Sequence, residues 1–377
     1  MAARFRIFTT VVLALHTATG AIAQSVNAGD RAASDARPFE SHDVAQFNTP
    51  WALAFLPDGR MLVTEKPGAV YLVTQDGAKT EVTGVPEVLA SGQNGLLDIA
   101  IAPDFAQSAR VYLTYVEPAG GQLVLARATL AETGEQAQLA DLAVIWRQSP
   151  NGGRGQPGGI IAFDPQGEHL FLSVGDRMEP DSAQEPDMAR GKVLRLGLEG
   201  ETPADNPMAG EGGVKAQTWT TGHRNPYGLA FNADGQLWLH EMGPRGGDEF
   251  NLIEAGQNYG WPLVSNGDNY SGTAIANHDT MPEFKAPAVY WTPVIAPAGL
   301  TFYQGDMFPS WQGSALIGGL RAQALVRVNV GEGGTADEAE RWDMGARIRD
   351  VAVAPDGAVW VIEDDSQGAL KRLTPKS

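Results

Sequence analysis

Short apolar runs alternate with polar positions along most of the chain, and the alternation keeps returning in one phrase. A run of β-branched or aromatic residues leads into a turn rich in Pro, Asp and Gly, and a second alternating run follows. The phrase reads LAFLPDGRMLVTEKPG from Leu53, IAIAPDFAQSARVYLTYVE from Ile99 and IIAFDPQGEHLFLSVGD from Ile160. It returns as LAFNADGQLWLHEMG from Leu229, LTFYQGDMFPSWQGSALIGGL from Leu300 and VAVAPDGAVWVIEDD from Val351. Successive strand residues face opposite sides of a sheet and the turn residues accept a tight reversal, so each copy predicts a β-hairpin. Helical periodicity is nearly absent. One hairpin cannot bury its own apolar face, so copies spaced by roughly 45 to 70 residues predict radially stacked sheets. The expected fold is all-β: a six-bladed β-propeller of four-stranded antiparallel blades, occupying residues 39–377. Two β-sandwiches are the alternative. The Gly- and Pro-rich stretches at 149–159, 203–213 and 243–247 fall between or within copies, as loops on one face would, and none reads as a linker between domains.

The N-terminus departs from this pattern. Arg4 and Arg6 precede an apolar stretch from Ile7 to Ala23, and Ala21-Ile22-Ala23 before Gln24 has the small residues of a cleavage site. Residues 1–23 read as a secretory signal peptide, and the location as periplasmic or secreted. A membrane anchor is the alternative, opposed by Thr9, Thr10, His16, Thr17 and Thr19 within the run, and no other stretch approaches a membrane-spanning length, so no stable membrane insertion is expected. The polar, Ala/Ser-rich residues 24–38 read as a flexible leader. The 377 residues include no cysteine and carry a formal charge of -18. Disulfides, thiolate metal sites and covalent c-type haem are thereby excluded. Acidity also opposes nucleic acid or an anionic membrane as partner, which leaves small molecules and cations.

Candidate chemistry is densest from Trp219 to Trp261, in TGHRNPYGLAF, HEMGPRGGDEFNLI and GQNYGWP. Asp248 and Glu249 follow the GPRGG turn, and carboxylates with main-chain carbonyls make a hard oxygen set suited to calcium. His223 and His240 stand alone and no H-E-x-x-H occurs, which argues against zinc. An exposed turn with solvated acids is the bland alternative. Arg224-Asn225, Arg321 after Gly318-Gly319, and Arg347 with Arg349 are candidates to hold an anionic ligand. Arg347 and Arg349 share one face of a strand and repel unless carboxylates meet them; those acids could belong to a ligand or to the protein. Gln93 and Asp176 are polar groups at strand ends or loops. Gln156 lies in SPNGGRGQPGG, which is not a P-loop because it lacks the lysine and the following helix.

From about Phe47 to Leu373 the chain resembles the soluble quinoprotein glucose/sorbosone dehydrogenases, in particular their bacterial aldose sugar dehydrogenase branch. The phrases carrying the resemblance are PWALAFLPDGRMLVTE, GLLDIAIAPDF, GDR, GKVLRL, DNP, GHRNPYGLAF, EMGPRGGDEFNLI, NYGWP, FPSWQG and RIRDVAVAPDG, in this order. The resemblance implies a six-bladed propeller that holds pyrroloquinoline quinone (PQQ) with Ca²⁺ in a cleft on one face. It implies an aldose as substrate and a separate electron acceptor. By the same resemblance Arg224, Asn225, Arg321, Arg347 and Arg349 contact the quinone, with Gln93 and Asp176 nearby. The carbonyls of Gly243 and Pro244 ligate the cofactor's calcium, and Glu249 and Tyr259 mark a second, structural calcium.

Three positions depart from the family pattern. Met242 stands where many relatives carry histidine, and Arg321 where some use lysine. The family's H-F-G-G-R-L-x-F aligns with Gln156 to Phe163, which places Gln156 on the general-base histidine. A carboxamide hydrogen-bonds a hydroxyl but does not take its proton near neutral pH. Losing general-base help costs on the order of 10² to 10⁴ in rate. Three readings follow. One is an enzyme, a PQQ-dependent sugar dehydrogenase oxidising the anomeric C1 hydroxyl to the lactone, slowed or using Asp176 or water as base. The second is a catalytically impaired quinone- or sugar-binding propeller, and the third a calcium-dependent lactonase. Retention of the arginines and of the calcium loop favours the first.

Overall fold

The computed structural model describes residues 25–376, so the expected signal peptide lies outside the described residues. Six inner strands, Pro50–Phe55, Leu96–Ile101, Gly158–Phe163, Pro226–Phe231, Pro297–Phe302 and Ile348–Val353, pack side by side in that order, and the last returns to the first. Each heads an outward run of four antiparallel strands, a propeller-like arrangement. Two runs merge where Lys79–Thr83 pairs in parallel with Gln136–Arg147, which makes one sheet of eight strands. The last run is completed from the other end of the chain, where Phe39–Phe47 pairs with Gly368–Pro375. The sequence phrases correspond to the inner strand and its immediate neighbour in each run, because there the apolar alternation is strictest. Between the sheets lie aromatic and aliphatic side chains such as Trp238, Trp291 and Trp360, all fully buried.

Every inner strand carries a β-bulge near its start. A bulge takes backbone groups out of the ladder, and buried ones must find other partners. Hydroxyls on the second strands supply them. Thr64 accepts the Ala52 N–H and donates to the Leu97 carbonyl of the next sheet. Thr114 links Asp98 N–H to Gly159 O, and Ser173 links Ile160 N–H to Pro226 O. His240 Nε2 lies 2.8 Å from Gly299 O at the next junction. Carboxylates add two further links: Asp98 accepts the Ile161 N–H at 2.7 Å and Asp350 the Leu53 N–H at 2.9 Å. Burial pushes these acids up to about 6 and about 7, respectively.

Of residues 24–38, expected as a flexible leader, the described part, 25–38, is docked along the outer rim. Val26–Asn27 pairs in parallel with Val289–Tyr290, and Ser34 bridges Trp342. Arg31 meets Glu338, whose buried carboxylate also accepts from Arg341 and Trp291 Nε1. A polar segment that adds a strand to a distant sheet edge shows no apolar period of its own, which is why composition misread it. Among the described residues no helix is long and apolar enough to cross a membrane.

Candidate active site

In antiparallel hairpins the start of the first strand and the end of the second share one face. The candidate residues sit there: Gln93, Gln156, Arg224-Asn225 and Arg347 before inner strands or at their starts, Asp176, Met242-Gly243 and Arg321 after second strands. The Pro-Asp-Gly turns lie on the opposite face.

The glycine-rich loop is wrapped around a cation. Arg177, at φ 60° and 1% exposed, donates to the carbonyls of Gly121, Gly153 and Gly155 and to Asn94 Oδ1. Gly153 adopts φ 134°, and a Cβ there would lie 2.4 Å from Arg177 Nε, so glycine is required for the guanidinium to fit. Burial lowers Arg177 to about 10. The loop so anchored presents Gln156, whose N–H donates to Gln93 Oε1 at 2.6 Å.

Gln156 joins an acid to a base. In the amide orientation that satisfies both neighbours, its nitrogen donates to Asp176 Oδ1 at 2.5 Å and its oxygen accepts from Arg224 Nη2 at 2.7 Å. Asp176 is fully buried, with Oδ1 also accepting the Met178 N–H and Oδ2 accepting Trp261 Nε1, both at 2.9 Å. Burial pushes Asp176 up to about 6, against the pull of the Met178 N–H, Arg224 and Trp261. Arg224 Nη1 donates to Met242 O at 2.8 Å and Gly243 O at 2.9 Å, while its guanidinium carbon lies 5.4 Å from the Trp261 ring and 5.8 Å from Tyr270. Its backbone N–H is held by Glu241 Oε2, whose Oε1 meets His223 Nδ1 at 2.8 Å. His223 in turn stacks on Tyr259.

Arg347 and Arg349 are both met by Asp364, at 2.6 Å and 2.9 Å. The balancing acid therefore belongs to the protein. Arg349 is buried and lies 4.0 Å over the Trp51 ring. Arg321 is exposed, its N–H donating to Ile295 O. Asn225 Oδ1 and Tyr227 OH are buried without a hydrogen-bond partner of good geometry. Buried polar atoms of this kind are rare in folded proteins and mark a place where a ligand can complete the bonding.

The loop that follows Glu241 is built by Asp248. It accepts the Gly243 N–H at Oδ1 and the Ile295 and Ala296 N–H groups at Oδ2, and burial pushes it up to about 7. Both its oxygens are committed to backbone, so it anchors the loop. Glu249 faces His278 at 3.2 Å and Asn251 Nδ2 at 3.2 Å. Tyr259 OH donates to Leu252 O and accepts the Glu254 N–H. Among the described residues no group of three or more His, Cys, Asp or Glu is arranged to hold a metal. The hard donors on offer are main-chain oxygens: those of Met242 and Gly243 already converge on one cationic nitrogen, and buried Pro244 follows. A Cβ on Gly243 would lie 2.2 Å from Gly246 O.

Residues 47–372 match the family model described as Glucose / Sorbosone dehydrogenase. The chain belongs to this family. It is 40% identical over 336 residues to the aldose sugar dehydrogenase YliI of Escherichia coli strain K12, covering 87% of this chain and 90% of that one. The apo-form crystal structure of the soluble aldose sugar dehydrogenase from Escherichia coli superposes with a TM-score of 0.84 at 39% identity, covering 90% of this chain and 100% of that one. The PQQ-bound aldose sugar dehydrogenase from Streptomyces coelicolor gives 0.73 at 27% identity, covering 89% and 98%.

Within this member of the glucose/sorbosone dehydrogenases, sequence reasoning missed several residues that set the site. Arg177, Glu241, Trp261 and Asp364 hold the expected ones in place. A signal for the acids was present: Glu65, Asp176, Glu241 and Asp364 lie at or within two residues of the end of the second strand in four of the six phrases, and these strand ends share one face.

Proposed function

We propose that the chain is a PQQ- and calcium-dependent aldose dehydrogenase on a six-bladed propeller, periplasmic or secreted, oxidising the C1 hydroxyl to the lactone with Asp176 as the base. The observation that carries this is the bridge Asp176–Gln156–Arg224, next in the chain to Asn225, whose Oδ1 is buried without a partner. The unbroken ring of six four-stranded runs supports the blade number.

The residues fit such a cofactor. Arg224, Arg321, Arg347 and Arg349 would bind its carboxylates, Asn225 would contact the quinone beside them, and the carbonyls of Gly243 and Pro244 would hold the calcium. Pyrroloquinoline quinone, when bound, supplies the hydride acceptor. Asp176 takes the proton of the C1 hydroxyl as that carbon is oxidised, and its raised affinity for protons matches it to work near neutral pH. Gln156 orients the carboxylate and fixes its distance from Arg224. Trp261 Nε1 and the Met178 N–H hold it in place. Glu249 and Tyr259 have a structural account without a cation, so the calcium proposal rests on the Gly243 loop alone. Electrons leave to a separate acceptor.

One observation favours a second reading, a quinone- or sugar-binding protein without turnover. The Asp176 carboxylate already accepts three donors, which weakens it as a base. The deciding experiment is anaerobic reconstitution with Ca²⁺ and PQQ followed by an aldose, with the quinone absorption as readout. Stoichiometric reduction supports the dehydrogenase. A bound quinone that stays oxidised across a panel of aldoses rejects it in favour of the binding protein.

A further inference from the structure

Arg224 is held in an unusual way for an arginine aimed at an anionic ligand. No carboxylate neutralises its guanidinium directly; Nη1 instead lies between two main-chain oxygens, 2.8 Å from Met242 O and 2.9 Å from Gly243 O. Arg349, on the same face, is satisfied by Asp364 and touches no carbonyl of that loop. Two carbonyls converging on one point form a cation site, and a guanidinium N–H and a hard divalent ion compete for the same lone pairs. The Met242-Gly243 turn is fixed from behind by Asp248, so it cannot retreat to serve both cations. Arg224 by contrast has its guanidinium carbon 5.4 Å from the Trp261 ring and 5.8 Å from the Tyr270 ring, faces along which a guanidinium can slide while keeping cation–π contact. Tyr270 is 72% exposed, so this side of the site is open to movement.

We propose that Arg224 acts as a plug in the cation site: calcium must displace its Nη1 from Met242 O and Gly243 O, and that nitrogen, with Nη2 still on Gln156 O, is then free for the anionic cofactor. This rests on the cofactor reading above and adds the order of events. Calcium entry and quinone binding become linked, because each favours the same position of Arg224, and linkage is reciprocal. The Met242 carbonyl, which sequence comparison did not single out, becomes part of the cation site, and Arg224 is a positioning residue for the metal as well as a ligand for the quinone.

The test is calcium binding to the apoprotein by calorimetry, without quinone. Arg224→Gln removes the plug and is expected to bind Ca²⁺ about tenfold tighter than the wild type. Arg349→Gln removes an equal charge from the same face without unblocking a carbonyl, and is expected to change the affinity by less than about threefold. Arg224→Lys, which keeps the charge with fewer directed bonds, falls between; it decides the matter if the glutamine variant does not fold. Equal affinities for wild type and Arg224→Gln overturn the plug while leaving the cofactor reading intact. An equal gain from Arg349→Gln also overturns it, since charge alone would then be the cause. Absence of calcium binding in every protein, with or without PQQ, overturns both.

Discussion

The two faces of the ring are built from the same six hairpins and by opposite means. On the turn face the parts are interchangeable. Asp58, Asp164, Asn232 and Asp356 each use a side-chain oxygen to accept a backbone N–H two to four residues on. Each of these turns is local, repeated and readable from a few residues. On the cleft face the ends of the second strands carry acids that do four different things. Glu65 accepts the Asn48 N–H, Asp176 takes Gln156, Met178 and Trp261, Glu241 holds Arg224 and His223, and Asp364 joins two arginines. Repetition makes a scaffold, and divergence at the strand ends of one face makes a site.

If the cleft acids are individual, replacing one removes a function that the others do not replace. Asp176→Asn should lower turnover by about 10² or more, in the range of lost general-base help, while PQQ binding followed by absorbance titration survives. Survival of the rate would put the base elsewhere. Gln156→His places a titratable ring beside Asp176 and should raise turnover at least about tenfold with little change in cofactor affinity; an unchanged rate would mean Asp176 already suffices.

The acids also divide the faces by pH. Asp176 must lose its proton to act, so kcat/KM should climb with pH through about 6 and lose that limb in Asp176→Asn. Stability responds with the opposite sense. Asp98, Asp176, Asp248 and Asp350 hold protons up to about 6 or 7 when folded, above the ordinary carboxylate value of 3.8. The folded state therefore binds more protons than the unfolded chain over this window, and the stability these groups give at low pH is lost as pH rises through it. Asp98→Asn is expected to flatten that decline in a Tm-versus-pH series, and an unchanged slope would count against the burial effect.

The smallest effect belongs to the turn face. Gly59 sits at φ +87°, and Gly59→Ala should cost about 1 kcal/mol by denaturant unfolding while leaving kcat and KM alone. A loss of activity there would mean that the two faces are coupled through the sheets.

Alternation and turn residues, which act over a few positions, made the hairpins and the all-β class legible in the sequence. The same is true of the arginines at 224, 347 and 349, because cations in a chain of charge -18 stand out. Pairing over long separations was not legible. The docking of Val26–Asn27 on a distant edge, the choice of Asp364 as partner of Arg347 and Arg349, and the wrapping of the glycine loop on Arg177 all depend on residues brought together only by ring closure. So does the meaning of Gln156. Its sequence context shows a missing base, and only the folded cleft places its amide between Asp176 and Arg224, because hydrogen bonds act over about 3 Å whatever the distance along the chain.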